Sequence, residues 1–83
     1  MGRNIKLDNK SALGKLICES LNKTNHTQKE LANYCGITVS AMSCILSGYF
    51  FPSFNTLMKI SVFTNISISI LSDLLAQDKN SKR

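Results

Sequence analysis

Residues 27–52 read TQKELANYCGITVSAMSCILSGYFFP, and this stretch decides the fold. Thr27 and Thr38 each precede a short segment with apolar residues at helical spacing. A threonine in this position caps a helix, because its hydroxyl accepts a hydrogen bond from a backbone amide of the first turn. Glu30 follows Thr27 by three residues, which is the spacing of a capping box. The stretch therefore predicts two short helices, the second over residues 38–46.

Gly36 lies between these two predicted helices. A sharp turn at this point requires a positive φ, which glycine adopts without strain. Ile37 and Met42 have the spacing of a hydrophobic staple at the start of the second helix. Two helices joined by so short a turn form a helix-turn-helix, a motif that usually places its second helix in the major groove of DNA.

The stretch resembles the helix-turn-helix of the phage repressor and Cro family, also called the xenobiotic-response-element type of regulator. Ten residues agree with the family pattern in type and in spacing: Gln28, Leu31, Ala32, Gly36, Ile37, Thr38, Met42, Ile45, Gly48 and Pro52. The resemblance continues upstream through LGKLICESLNK and downstream through SFNTLMKISVFTNISISILSDLL, with Asn65 where the family usually has glycine. It covers about residues 11–76 and implies an all-α, five-helix, lambda-repressor-like domain with the helix-turn-helix at helices 2 and 3.

Apolar periodicity predicts the helices on either side of the motif. The first is expected to run from Asp8 or Asn9 to Lys23. The fourth is expected to begin after Ser53, with Leu57, Ile60, Phe54 and Phe63 on its buried side. The chain then divides into a basic N-terminal arm over residues 1–7, a helix-turn-helix domain over 8–76 and a polar tail over 77–83.

The last element has two possible interpretations. Isoleucines alternate with serines over residues 66–70, a pattern typical of a strand. Ser67 is however a good helix cap, and Leu71, Leu74 and Leu75 continue a helical stripe. A lone strand in a helical domain would also lack a partner. We therefore predict a helix.

The family register assigns a set of residues to the base edges of DNA: Thr38, Val39, Ser40, Ser43 and Cys44. None is Arg, Lys, Asn or Gln, the side chains that make bidentate contacts with bases. Val39 can pack on a thymine methyl group and the serines can make single hydrogen bonds, so specificity would also depend on water and DNA shape. The alternative is that this helix face binds no DNA.

A second set is expected to contact phosphates: Thr27, Gln28, Lys29, Ser47 and Tyr49. Thr27 and Gln28 resemble the family's phosphate clamp, in which free amides at a helix start hold the anion. The net charge of +5 has the sign that a phosphate partner requires. Lys29 is nevertheless the only basic residue between Thr27 and Met58. We therefore expect Arg3, Lys6 and Lys10 of the N-terminal arm to supply much of the electrostatic affinity, unless the arm is a solvated end.

Three adjacent aromatic residues, Tyr49, Phe50 and Phe51, follow the second helix of the motif. They cannot all enter one small core, so at least one should be exposed, and exposed aromatics mark contact surfaces. We predict a homodimer interface made by Phe50, Phe51, Ile68, Leu71 and Leu75.

Composition excludes several other functions. The 83 residues suit one small domain, and no apolar run approaches the ~18 residues of a membrane-spanning helix. Cys18, Cys35 and Cys44 show no metal-ligand spacing, and we interpret them as reduced thiols, with Cys44 exposed. No catalytic set is evident, so we expect neither an enzyme nor a cofactor, metal or small-molecule ligand.

These observations favour a sequence-specific transcriptional regulator of double-stranded DNA, most simply a repressor. We expect a homodimer that binds a palindromic operator. We also expect a cytoplasmic, nucleoid-associated protein that is encoded by a bacterium or a phage. The alternative is a protein-interaction module, such as an antitoxin or an anti-repressor, built on the same scaffold. The uncharged second helix and the aromatic loop favour this alternative, and the clamp residues favour DNA.

Overall fold

The computed structural model describes residues 10–80, which form five α-helices and no strand. The helices are α1 (Ala12–Thr24), α2 (Gln28–Cys35), α3 (Val39–Ser47), α4 (Phe54–Thr64) and α5 (Ile68–Asn80). The predicted all-α, five-helix architecture is confirmed, including a helix rather than a strand over residues 68–70. Arg3, Lys6 and residues 81–83 lie outside the described residues.

Threonine and serine side chains cap the N-termini of α2 to α5, as the sequence predicted. The capping box of α2 is complete, since the Glu30 amide donates to Thr27 Oγ1 at 3.1 Å and the Thr27 amide donates to Glu30 Oε1 at 2.9 Å. Thr38 Oγ1 accepts from the Ala41 amide at 3.0 Å. Ser53 and Ser67 accept in the same way at the starts of α4 and α5. Local sequence therefore determines where these four helices begin.

Each of the first four helices ends at a residue whose backbone lies in the left-handed region, with a positive φ. Gly36 has φ 75° after α2, as predicted, and Gly48 has φ 91° after α3. Asn25 and Asn65 occupy the same region at φ 64° and 61°. Asparagine tolerates this conformation better than other residues with a side chain. Asn65 therefore serves the turn where the family usually has glycine.

The start of α1 differs from the prediction. The helix begins at Ala12, and Ser11 caps it by accepting from the Gly14 amide at 3.0 Å. Ser11 is held there by α3, because its amide donates to the carbonyl oxygen of Leu46 at 3.0 Å. Asp8 and Asn9, the predicted start, lie outside the described residues, but Lys10 and Ser11 are not helical. The helix therefore begins later than predicted, because the contact that anchors its cap is tertiary.

The end of α5 also differs. The helix continues through residues 77–80, which the sequence assigned to a polar tail. The Asp78 carboxylate accepts from the amides of Ala12 and Leu13 at 3.0 and 3.1 Å. An acidic side chain is stabilised at a helix N-terminus, so the polar end of α5 belongs to the folded domain and caps α1.

One core joins all five helices. Its buried members are Leu13, Ile17, Cys18, Leu21, Leu31, Ala32, Cys35, Met42, Leu46, Leu57, Ile60 and Leu71. Burial raises the pKa of the Cys18 and Cys35 thiols, so both remain protonated at neutral pH. The prediction that Phe54 lies on the buried side of α4 was wrong, because it is exposed. Ile37 is half-buried and packs against the core.

Helices α1 and α3 approach each other closely at Gly14. A Cβ at Gly14 would lie 2.7 Å from the carbonyl carbon of Leu46 and closer still to its oxygen. Only glycine fits at this crossing, which holds the C-terminal end of α3 against the start of α1.

Candidate nucleic-acid interface

The outer face of α3 consists of small, uncharged side chains. Ser40, Ser43, Cys44 and Ser47 follow one another at spacings of three, one and three residues, which places them on one side of the helix. Ser40 is exposed and the other three are half-buried. On the opposite side, Met42, Ile45 and Leu46 are buried. The structure thus brings most of the predicted base-contacting residues together on an accessible surface.

Two further predicted residues lie at the N-terminal end of α3. Val39 is 43% exposed, so its methyl groups are available to an apolar group such as a thymine methyl. Thr38 is exposed, but its Oγ1 already accepts from the Ala41 amide. Its primary role is therefore the helix cap, and its hydroxyl proton and second lone pair are left for a base. Cys44, expected to be exposed, is half-buried on this face.

The N-terminus of α2 presents free backbone donors. The capping box engages the amides of Thr27 and Glu30, whereas those of Gln28 and Lys29 have no intrahelical acceptor because they lie in the first turn. Such amides carry partial positive charge and bind anions. Gln28 is half-buried and Lys29 is exposed beside it. The hydroxyl of Thr27 is used as a cap, so this end can hold a phosphate mainly through the amides and the two side chains that follow.

His26 also contacts this end of α2, although it was not among the predicted site residues. Its Nδ1 lies 3.1 Å from Glu30 Oε1. The amide of Thr27, and then His26, lower the pKa of Glu30 by hydrogen bonding to its carboxylate. The imidazole packs against Phe63 with ring centroids 5.0 Å apart, and Phe63 packs on Tyr34 at 5.3 Å. The signal was available: a histidine four residues before a helical glutamate forms such a pair.

The loop after α3 exposes all three aromatic residues. Tyr49, Phe50 and Phe51 are 80%, 57% and 47% exposed. The amide of Tyr49 donates to the carbonyl oxygen of Cys44 at 2.9 Å, which fixes the start of the loop to α3. Lys79 Nζ lies 5.4 Å from the centroid of the Phe51 ring, a cation–π contact that ties the loop to α5.

A groove between α4 and α5 adjoins this loop. It has a volume of about 300 Å³ and is lined by Pro52, Phe54, Leu57, Ser72, Leu75, Ala76 and Lys79. Of the residues predicted for a dimer interface, Leu75 lines the groove and Ile68 is half-buried. Leu71 has 0% exposure and belongs to the core, so its assignment to the interface was wrong. Phe54, at 65% exposure, is an apolar surface residue that the sequence assigned to the core.

Positive charge is sparse around these surfaces. Lys10, the one predicted arm residue within the described range, is half-buried just before the Ser11 cap.

Among residues 10–80, no cluster of His, Cys, Asp or Glu could hold a metal ion. None of the five helices is both long and apolar enough to cross a membrane.

Comparison with known proteins identifies one family. The sequence model of a helix-turn-helix family matches residues 19–71, which is more than half of the chain and spans α2, α3 and α4 completely. Neither a curated protein nor a solved structure matches the chain.

Proposed function

Because the chain belongs to the xenobiotic-response-element type of helix-turn-helix DNA-binding regulators, we propose that it is a sequence-specific transcriptional repressor that binds a palindromic operator as a homodimer. The observation that carries this proposal is the accessible outer face of α3. It holds Ser40, Ser43 and Cys44 on one side of the helix, with Val39 at its leading end and Ser47, predicted to contact a phosphate, one turn after Ser43 and Cys44.

In the proposed complex this face enters the major groove. Serine hydroxyls donate or accept single hydrogen bonds, and Val39 packs on a thymine methyl group. Bidentate contacts are each worth about 1–3 kcal/mol of discrimination, and these side chains cannot make them. The protein therefore obtains the rest of its specificity from the shape of the DNA and from bridging water.

Phosphate contacts fix the position of the protein on the duplex. The free amides of Gln28 and Lys29 and their side chains hold one phosphate at the start of α2. Just after the C-terminal end of α3, Tyr49 is 80% exposed and offers its hydroxyl to the phosphate backbone of the DNA. Lys10, with Arg3 and Lys6 of the N-terminal arm, adds the electrostatic attraction that α3 lacks.

The proposed dimer uses the aromatic loop and the groove beside it. Phe50, Phe51 and Phe54 are exposed at or beside the groove between α4 and α5, whose lining includes Leu75 and Ala76. Exposed aromatics beside a cavity suit a self-complementary contact, in which each copy inserts side chains into the other. A two-fold axis here would set the two α3 helices about 34 Å apart, one turn of DNA.

The experiment is a comparison of three variants by fluorescence anisotropy against DNA sequences selected by the wild-type protein. Gln28→Ala should weaken binding to all sequences about equally, because phosphate contacts carry no sequence information. Val39→Ala and Ser40→Ala should instead change base preference. Asn55→Ala, an exposed position on α4, is the matched control.

A second candidate function is a protein-interaction module, such as an antitoxin or an anti-repressor. The exposed loop aromatics favour it, because aromatic residues are enriched at protein interfaces. Unchanged DNA affinity and base preference in all three variants, with the helical circular-dichroism signal intact, would support this function and contradict the repressor.

A further inference from the structure

An acidic side chain lies beside the amides proposed to hold a phosphate. Glu30 Oε1 accepts from the amide of Thr27 at 2.9 Å, and the free amides of Gln28 and Lys29 follow directly in the chain. A carboxylate in the first turn of a helix stabilises it through the positive end of the helix dipole. The same charge repels a DNA phosphate at that end. The cap and the phosphate therefore compete for one helix terminus.

His26 contributes to the net charge at this terminus, together with Glu30 and Lys29. Its Nδ1 lies 3.1 Å from Glu30 Oε1, and the two side chains are 44% and 54% exposed, so both are accessible to solvent. A neutral ring leaves the charge of Glu30 uncompensated, whereas an imidazolium offsets it. The packing of the ring on Phe63 holds it beside Glu30.

The surroundings of His26 contain few other titratable groups. On α2 these are Glu30, Lys29 in the same first turn and, across Phe63, Tyr34. The α4 side supplies Phe63, which does not titrate, and Lys59, whose charge acts on Cys35 of α2. The last turn of α1 carries Lys23.

The chain also contains no other histidine. Histidine is the side chain that ordinarily changes charge between about pH 5 and 8. The buried thiols of Cys18 and Cys35 have a raised pKa, which moves their titration away from this range.

We propose that protonation of His26 strengthens the binding of DNA phosphates, because the imidazolium offsets the Glu30 carboxylate at the start of α2. This inference rests on the proposed DNA binding. It makes the His26–Glu30 pair the element through which pH sets the affinity for DNA, in addition to its role in capping the helix.

The test measures the affinity for a labelled duplex of random sequence between pH 5.5 and 8 at constant ionic strength. Wild-type affinity should increase about fivefold per subunit as the pH falls, from the interaction of one added charge with a nearby phosphate in water. His26→Gln should bind with the wild-type affinity of pH 8 at every pH. Glu30→Gln keeps the capping box, since glutamine serves at this position. It should bind more tightly than the wild type at pH 8, because the carboxylate that repels the phosphate has been removed.

Each outcome separates this inference from the proposed function. Affinity that is constant over the pH range, or a pH dependence that persists in His26→Gln, would overturn the inference and leave DNA binding standing. A folded wild-type protein that binds no duplex at any pH would instead overturn the proposed function. If His26→Gln fails to fold, the histidine ring resonances of the wild-type protein are titrated by NMR with and without DNA. By linkage, DNA should raise the midpoint of that titration, and equal midpoints would contradict the proposal.

Discussion

Replacing Gly14 with alanine places a methyl group against the backbone of α3. The added Cβ would lie 2.7 Å from the carbonyl carbon of Leu46 and 3.0 Å from its Cα. Carbon atoms pack at about 3.5–4.0 Å, so the two helices would have to separate by roughly 1 Å. Rotation of a side chain cannot relieve the contact, because the opposing atoms belong to the main chain.

The cost of this separation has identifiable parts. Forcing an extra methyl group into a packed core costs about 1–3 kcal/mol. Separation also weakens the hydrogen bond from the Ser11 amide to the Leu46 carbonyl oxygen, now 3.0 Å long, and an unpaired buried group costs about 1–3 kcal/mol. Against this, alanine within a helix is more stable than glycine by about 0.5–1 kcal/mol. The net loss should be about 1–5 kcal/mol, and each kcal/mol lowers the melting temperature of a domain of this size by about 4–8 °C.

Thermal and urea unfolding, followed by far-ultraviolet circular dichroism, measure this loss. Lys15→Ala is the matched control, because Lys15 is the next residue of α1 and is exposed. Its free energy of unfolding should stay within about 0.5 kcal/mol of the wild type. If Gly14→Ala proves as stable as this control, there is room for a methyl group between α1 and α3. The close approach at Gly14 would then not be what holds the C-terminal end of α3 in place.

Four further predictions concern packing, pH, assembly and charge. Ala32→Leu should lower the free energy of unfolding by about 1–3 kcal/mol in urea, because the fully buried site has no room for the larger side chain. The lowered pKa of Glu30 means that its negative charge adds stability to the fold above the ordinary glutamate pKa, and this contribution is lost as pH falls through the folded value. The melting temperatures of wild type and Glu30→Gln should therefore converge on acidification, and a constant difference down to acid pH would contradict this. Phe50→Glu combined with Phe51→Glu should yield monomers by sedimentation, and a variant that remains dimeric would place the interface elsewhere. Removal of residues 1–6 should reduce the log–log salt slope of DNA binding by up to about 2 per subunit, whereas an unchanged slope would identify the arm as a solvated end.

The candidate site divides into a part that the sequence predicts and a part that it does not. The outward face of α3 was predictable because helical spacing alone places Ser40, Ser43 and Cys44 together once Thr38 is identified as the cap. The role of Leu71 was not predictable, because apolar residues of one helix look alike whether they face the core or a second chain. Only the packing of α5 on α1 and α4 shows that Leu71 is buried.

The sequence by itself determined the five helices and their turns. The signals are local: a hydroxyl at a cap, a glutamate three residues later, and a glycine or asparagine in the left-handed region act within one turn of the chain. The tertiary structure decided where α1 begins and α5 ends, through Ser11 on Leu46 and Asp78 on the amides of α1. These contacts join residues 35 and 66 positions apart. No local pattern encodes them, because hydrogen bonds between distant segments exist only after the helices have packed.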